Sequence, residues 1–151
     1  MKFQEVYLIL DNLRSAYNVG SAFRTADAAG VKKILICGLS PYPPHIKLAK
    51  TALGATNFVD WEYFKHTKDA ISSLKKQKIT VYGVECGVNG AQNYKLVEYP
   101  ARVALIFGNE VEGISKQILA KCDKIIEIPM KGRKNSLNVA TAIGIILYNL
   151  T

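Results

Sequence analysis

The feature that most constrains the fold of this chain is a regular alternation between short apolar runs and segments with helical periodicity. The apolar runs carry Ile, Leu and Val at consecutive positions, as in KILIC and VALIF, rather than at every second position. Strands of that kind are buried on both faces, which is typical of a parallel sheet covered by helices on either side. We therefore predict an α/β fold with a mostly parallel sheet flanked by helices.

The pattern also gives approximate bounds for each element. The predicted strands are 6–12, 33–38, 79–86, 102–108 and 124–130, with a weaker candidate over 58–64. The predicted helices are 18–30, 66–77, 112–123 and 136–150, with a short helical piece over 50–55 and a loop over 87–100. The 151 residues contain no repeat or linker. We therefore predict a single domain over 1–151.

Charge and segment composition narrow the class of protein. The net charge of +8 and the pI of about 9.4 favour an anionic partner, most often a nucleic acid. The alternative is a charged surface that only keeps the protein in solution. The apolar run near the start is interrupted by Asp11 and lacks the features of a signal peptide. No apolar run approaches the roughly 18 residues of a membrane helix. We therefore expect a cytosolic, membrane-free protein.

Several familiar chemistries have no support in the sequence. Three cysteines occur without CxxC spacing, and two histidines lack a helical pair, so neither a disulfide framework nor a metal site is predicted. GxGxxG after the first strand, GxxxxGK[ST] and GxSxG are all missing. These absences argue against dinucleotide binding, P-loop hydrolysis and a serine hydrolase elbow.

In parallel α/β sheets, ligands bind beyond the carboxyl ends of the strands, and the first polar segment there is NVGSAFRTADAAG. Asn18 is predicted to cap the first helical turn, and Gly20 allows a close backbone approach. Arg24 is predicted to reach back toward the same strand ends, where a guanidinium suits a phosphate or a developing oxyanion. The alternative is an ordinary surface helix with Arg24 paired to Asp27.

The second segment is GNEVEGIS, which follows strand 102–108. A carboxylate at the tip of a buried strand, such as Glu110, needs a backbone N–H, an arginine or a polar ligand as its partner. The alternative is helix capping by acidic residues near the positive end of the helix dipole, which fits Glu112 better than Glu110.

The third segment is IPMKGRKNSLNV, residues 128–139. Gly132 allows a turn, and Ser136 is predicted to be the N-cap of the last helix. The cations Lys131, Arg133 and Lys134 are positioned to meet phosphates. A solvated loop would also explain these charges, but it would not explain the pair Ser136 and Asn138.

Together these three segments, in this order, closely resemble the three motifs of the SpoU family of RNA ribose 2′-O-methyltransferases, within the SPOUT superfamily. The matching patterns are N-x-G-x-x-x-R-T-A, F-G-N-E-x-x-G-I-S and I-P-M-x-G-x-x-x-S-L-N-V. The stretch SPYPPH followed by KTALGA also resembles the loop and helix between the first two motifs. The resemblance spans nearly the whole chain.

The resemblance implies S-adenosylmethionine as cofactor, bound in a C-terminal trefoil knot, and a homodimer. The implied cofactor-binding residues are Gly108, Ile128, Met130 and Leu137. The implied catalytic residues are Arg24, Asn18, Glu110, Ser136 and Asn138, with no metal. The small residues Ala140, Ala142 and Gly144 would permit close packing, either within the knot or across the dimer.

The implied reaction is methyl transfer to a ribose 2′-hydroxyl of tRNA or rRNA. Without a separate RNA-binding extension, recognition would depend on the chain's own basic surface, a dimer partner or a helper protein. Two alternatives stay open, a non-catalytic RNA-binding protein and a SPOUT methyltransferase that acts on a nucleobase. The family's arginine is commonly proposed to assist deprotonation of the hydroxyl. A guanidinium has a pKa above about 12, so Arg24 would more readily hold a phosphate or a developing alkoxide.

Overall fold

Seven parallel strands in the order β3-β2-β1-β6-β4-β7-β5 form the centre of the molecule. The computed structural model describes residues 4–151. The strands are β1 Glu5–Asp11, β2 Lys33–Cys37, β3 Asp60–Phe64, β4 Thr80–Val84, β5 Gln92–Asn93, β6 Arg102–Gly108 and β7 Lys124–Glu127. The helices are α1 Ala16–Ala29, α2 Ile46–Ala52, α3 Thr67–Lys76, α4 Lys116–Leu119 and α5 Val139–Leu150. The predicted α/β class is confirmed.

Each face of the sheet has its own apolar core, which explains why the strands are apolar at consecutive positions. In β1, Leu8 and Leu10 pack with α1 and α5 residues on one face, whereas Tyr7 and Ile9 pack with α3 residues on the other. Leu8, Ile9 and Leu10 are fully buried. Burying each such side chain contributes about 1.5–3 kcal/mol, so the pattern fixes the central strands within the sheet.

Helices α1 and α2 cross closely at Gly20. A Cβ on this glycine would lie 2.1 Å from the Thr51 hydroxyl oxygen and 2.2 Å from the Leu48 carbonyl oxygen. The Thr51 hydroxyl also donates a hydrogen bond of 2.8 Å to the Tyr17 carbonyl. The close backbone approach predicted at Gly20 is therefore confirmed, and it fixes α2 against α1.

The predicted helix over 112–123 is wrong, because only the four residues of α4 are helical. Gly113 has a positive φ of 69°, and it pairs back to Asn109 in an isolated antiparallel bridge. Ser115 then caps α4 by accepting a hydrogen bond from the Ile118 amide. The residues before Ser115 form a turn at the end of β6 instead of a helix.

Several other elements differ from the prediction. Helix α1 begins at Ala16 with Ser15, not Asn18, as its N-cap. Helix α5 begins at Val139, and its N-cap is Asn138 rather than Ser136. The predicted loop over 87–100 contains the two-residue strand β5, and the predicted helical piece over 50–55 corresponds to α2 and a 3-10 turn at Ala55–Asn57.

Membrane-spanning helices and metal-binding clusters are both missing from the described residues. Over residues 4–151, none of the helices combines the length and apolar character needed to cross a bilayer. Within the same range, no three His, Cys, Asp or Glu side chains lie close enough together to hold a metal ion. The trefoil knot stays a prediction, since a strand order does not by itself define a chain crossing.

Candidate active site

A cavity of about 530 Å³ lies at the carboxyl ends of β4, β6 and β7, beside the start of α5. We call it the strand-end cavity. Three loops form it, and its lining includes residues 84–87, 107–113, Ile128, 135–139 and Ala142. All three of these loops follow parallel strands, which is where ligands bind in this class of sheet.

Gly108 allows the chain to turn back sharply at the end of β6. A Cβ on Gly108 would lie 2.6 Å from the Gly113 carbonyl carbon and 2.7 Å from the Ile114 amide nitrogen. Backbone atoms cannot give way as a flexible side chain can. Any side chain at position 108 would therefore displace the segment 109–114, which forms one wall of the cavity.

Asn109 lies within that segment, and its side chain stabilises the turn. Its side-chain oxygen accepts hydrogen bonds from the amides of Val111 (2.8 Å) and Glu112 (2.9 Å). Its side-chain nitrogen donates to the Asn12 carbonyl at 2.9 Å. The turn at the end of β6 is thus tied to the end of β1.

Glu85 holds the same segment from the other side. Its carboxylate lines the strand-end cavity and accepts a hydrogen bond from the Ile114 amide at 2.8 Å. A Cβ on Gly113 would lie 2.4 Å from this carboxylate. The sequence prediction missed Glu85, although the argument used for Glu110, a carboxylate at the tip of a buried strand, applies equally to it.

Glu110 joins the strand-end cavity to the start of α1. Its carboxylate accepts hydrogen bonds from the amides of Arg14 (2.8 Å) and Ser15 (3.0 Å) and from the side-chain nitrogen of Asn18 (2.9 Å). Burial alone would raise the pKa of Glu110, but these hydrogen bonds outweigh it, so the pKa lies below its ordinary value. Glu110 is therefore an ionised, oriented carboxylate near neutral pH.

Asn18 belongs to this arrangement, although not in the predicted way. It lies within α1 and contacts Glu110 through its side chain. The partner that Glu110 requires is thus a set of backbone and amide N–H groups, rather than an arginine. The alternative, in which Glu110 caps the following helix, is wrong because Ser115 fills that position.

The structure does not bring Arg24 to the strand-end cavity of its own chain. Arg24 lies exposed on α1, where it lines a different cavity of about 500 Å³ between α1, α2 and α5. We call this the helix cavity, lined by Ser21, Arg24, Thr25, Ala28, Lys50, Thr51, Leu53 and Tyr148. Among the described residues Arg24 has no ion pair with Asp27, so the surface-pair alternative is also unsupported.

The third segment lies partly on the strand-end cavity. Ser136, Leu137 and Asn138 line it, and so do Gly108 and Ile128, whereas Met130 is not among the lining residues. The side-chain oxygen of Asn138 accepts hydrogen bonds from the amides of Ala140 (2.9 Å) and Thr141 (3.3 Å). Asn138 therefore fixes the start of α5.

The basic residues of this segment lie outside the cavity lining. Lys131, Arg133 and Lys134 are exposed, and none of them forms an ion pair within residues 4–151. They lie in the loop between β7 and α5, before the cavity residues 135–139. Their charges are available to an anionic partner at the margin of the site.

Cys86 is a second lining residue that the sequence prediction missed. Its thiol donates a hydrogen bond to the Ile128 carbonyl at 3.3 Å, which links the loop after β4 to the loop after β7. Burial raises the pKa of this thiol, so it is protonated near neutral pH. Cys86 thus serves as a donor that joins two walls of the cavity.

Comparison with known proteins identifies the family to which this sheet and these loops belong. A family model described as the SpoU rRNA Methylase family matches residues 5–148. The chain belongs to that family, so the resemblance in its motifs is confirmed.

Three relatives illustrate the similarity. A Staphylococcus aureus protein assigned to the TrmH family of tRNA/rRNA methyltransferases is 35% identical over 95% of this chain. An AdoMet-bound rRNA methyltransferase from Sinorhizobium meliloti is 29% identical, with a TM-score of 0.90 over 99% of this chain and 57% of its own. A structure concerned with the 2-OH methylation of C/U34 on tRNA is 25% identical, with a TM-score of 0.86 over 96% of this chain and 93% of its own. This chain spans 57% of the length of the Staphylococcus aureus relative.

Proposed function

We propose that this protein is an S-adenosylmethionine-dependent RNA methyltransferase that modifies a ribose 2′-hydroxyl of tRNA or rRNA. The observation that carries the proposal is the strand-end cavity, which the motif segments around Gly108 and Ser136 build together in a chain of the SpoU family. The AdoMet-bound relative and the relative concerned with 2-OH methylation support the cofactor and the reaction.

The strand-end cavity fits a cofactor of this kind. Its volume of about 530 Å³ falls within the roughly 300–1,000 Å³ typical of small-molecule sites. Ile128, Leu137 and the backbone around Gly108 would hold the cofactor, whereas Met130 lies outside the cavity lining and stays a prediction from the family resemblance. When bound, S-adenosylmethionine supplies an activated methyl group on a sulfonium.

The residues of this chain would supply positioning and electrostatics. Glu110 already accepts three hydrogen bonds from the start of α1, so we assign it a positioning role rather than that of a mobile base. Asn18 would share that role. Ser136 and Asn138 would fix the geometry of the site, Asn138 through its hydrogen bonds to the start of α5.

Arg24 would act on the developing alkoxide or on the adjacent phosphate. Because Arg24 lies in the helix cavity of its own chain, we propose a homodimer in which the arginine of one copy faces the strand-end cavity of the other. Two exposed aromatic side chains, Tyr17 on α1 (44%) and Tyr148 on α5 (54%), support an interface there. A twofold dimer would use the same surface on both copies.

Mixing two inactive variants tests this arrangement. Arg24→Ala and Ser136→Ala should each lose methyl transfer with near-normal cofactor affinity. If Arg24 acts across the dimer, co-refolding an equal mixture should restore about a quarter of the wild-type activity, since half of the dimers are mixed and one of their two sites is intact. No recovery would place both residues in the same chain's site. Normal turnover by Arg24→Ala alone would remove its catalytic role.

Lys131, Arg133 and Lys134 would contact the RNA backbone at the margin of the site.

Nucleoside mass spectrometry after reaction with methyl-labelled cofactor separates the proposal from its alternatives. A methylated ribose supports it, whereas a methylated base identifies a nucleobase methyltransferase. RNA binding without cofactor binding identifies a non-catalytic binding protein. The cytosolic location stays a prediction.

A further inference from the structure

A second large cavity, of about 760 Å³, lies on the other side of the segment that walls the strand-end cavity. We call it the lysine cavity. The two cavities share Asn109, Glu112 and Gly113 in their linings, so they are separated only by this turn. The lysine cavity has no role in the function proposed above.

The walls of the lysine cavity come from the carboxyl ends of β1 and β2, the start of α3 and the helix α4. Neighbouring strands lie about 4.8 Å apart, so β2 is about 10 Å from β6 along the sheet. The two cavities thus lie side by side along one edge. A single extended strand of nucleic acid along that edge would pass both.

Three lysines give this cavity its chemistry. Lys65, Lys68 and Lys121 line it from two different walls and are exposed. None of them has an ion-pair partner in the part of the chain that the structure describes. Unpaired ammonium groups that converge on one cavity favour phosphate groups as ligands.

Two carboxylates also line the lysine cavity, and they do not cancel this preference. Asp11 is only 4% exposed, and one of its oxygens accepts hydrogen bonds from the Thr67 hydroxyl and the Asn12 side chain. Asp11 is thus committed to joining β1 to the start of α3. Glu112 is exposed on the shared turn, which leaves three lysines facing one free carboxylate.

The cavity also offers groups that suit a nucleobase or sugar. Gln117 provides a side-chain donor and acceptor and Ser115 a hydroxyl donor, while Leu39 and Ile118 provide apolar surface. Leu39 is 80% exposed, so its side chain is available to pack against a planar ligand. Single-stranded RNA is recognised by this combination of stacking, base-edge hydrogen bonds and phosphate contacts.

We propose that the lysine cavity binds the phosphodiester backbone of the same RNA strand whose target ribose lies at the strand-end cavity. This inference rests on the proposed function for the identity of the RNA as substrate. It adds a second contact region, distinct from Lys131, Arg133 and Lys134. A nucleotide near the target would lie between Lys65, Lys68 and Lys121.

The test compares two double variants, one at each end of α3. Lys65→Ala/Lys68→Ala removes two charges at the start of α3, inside the cavity. Lys76→Ala/Lys78→Ala removes two exposed charges at the other end of α3, outside it. Affinity for a fluorescein-labelled mixed-sequence single-stranded RNA, and for total tRNA in competition, is measured by anisotropy between about 50 and 200 mM salt.

We expect the cavity variant to bind RNA about tenfold more weakly and to lose about 1.4 from the slope of log affinity against log salt, because each lost phosphate contact accounts for about 0.7. The control variant should change affinity by less than about twofold. Lys121→Ala, from the opposite wall, should give about half of the slope change. Equal weakening by the two double variants, or none by either, would overturn the inference.

Cofactor affinity, measured by calorimetry on the same proteins, keeps the two proposals distinct. Both double variants should bind S-adenosylmethionine like the wild type, since none of the substituted residues lines the strand-end cavity. A wild type that binds RNA through the lysine cavity but does not bind the cofactor would contradict the proposed function alone. Loss of cofactor binding in the cavity variant only would contradict the inference, because it would indicate a structural role.

Discussion

The strand-end cavity and the lysine cavity share one wall, but they are built from different chemical groups. The strand-end cavity is enclosed by tight turns, with Gly108 in contact with the backbone of Gly113 and Ile114. The lysine cavity has three exposed lysines in its lining, Lys65, Lys68 and Lys121. Close backbone packing suits one small ligand of fixed shape, whereas flexible cations suit a polyanion of variable sequence.

The two cavities also differ in the pKa of a carboxylate that lines each of them. Glu110, on the strand-end cavity, has its pKa lowered despite burial, because three N–H groups point at it. Asp11, on the lysine cavity, has its pKa raised by burial, with hydrogen bonds from Thr67 and Asn12 opposing that shift only in part. The charged form of a carboxylate is stabilised on one side of the shared turn and disfavoured on the other.

The largest expected effect is that of Gly108→Ala, which should displace the turn that the two cavities share and so disrupt the strand-end cavity. Its Cβ would meet backbone atoms at 2.6 Å and 2.7 Å, so the shared turn must shift. We expect a stability loss of about 1–3 kcal/mol and cofactor affinity at least about tenfold weaker. Urea unfolding and calorimetry measure these quantities.

The matched control is Gly132→Ala, since a Cβ there would meet nothing within 4 Å. It lies in the third motif segment, yet it should leave both stability and cofactor affinity unchanged. If the two glycine variants behave alike, the close packing at Gly108 is not what shapes the cavity.

The next effect in size is that of Glu110→Gln, and it should depend on pH. A carboxylate with a lowered folded-state pKa contributes stability above its ordinary pKa and loses it as the pH falls through the folded-state value. At pH 7 we expect the free energy of unfolding of the wild type to be about 1 kcal/mol higher than that of the variant, because Glu110 is only partly buried. The difference should vanish in acid, below the lowered pKa. A difference that is constant with pH in urea unfolding would contradict the ionised state of Glu110.

The smallest effect should come from Asp11→Asn, and the stability difference from the wild type should change with pH in the opposite direction to that of Glu110→Gln. A carboxylate with a raised folded-state pKa contributes stability below its ordinary pKa and loses it as the pH rises through the folded-state value. The asparagine oxygen can still accept from Thr67 and Asn12. Relative to the wild type, the variant should therefore gain stability between acid and neutral pH. If the stability difference between variant and wild type changed with pH in the same direction for Asp11→Asn as for Glu110→Gln, the electrostatic contrast between the cavities would be contradicted.

Much of the sheet could be predicted from the sequence because its determinants are local. The strand over 102–108 is confirmed at both ends, since Arg102 and Gly108 bound a run that is buried on both faces. The helix over 66–77 is confirmed within one residue at each end, because its apolar residues follow a helical period. Such patterns depend only on residue spacing along the chain.

The turn between β6 and α4 could not be predicted in this way. Its conformation depends on Glu85 and Asn12, which lie far away in sequence and contact the turn only in the folded state. For the same reason the position of Arg24 could not be inferred from the periodicity of α1. A period identifies the face of a helix, but not the cavity that this face lines.

The most direct measurement of the central claim is methyl transfer by the full chain. The purified protein is incubated with methyl-labelled S-adenosylmethionine and unmodified total small and ribosomal RNA, and the RNA is digested to nucleosides for mass spectrometry. Our account predicts label on a 2′-O-methylated nucleoside, and that label should be lost in the Gly108→Ala variant. Label on a nucleobase, or a protein that neither binds the cofactor nor transfers its methyl group, would contradict the account.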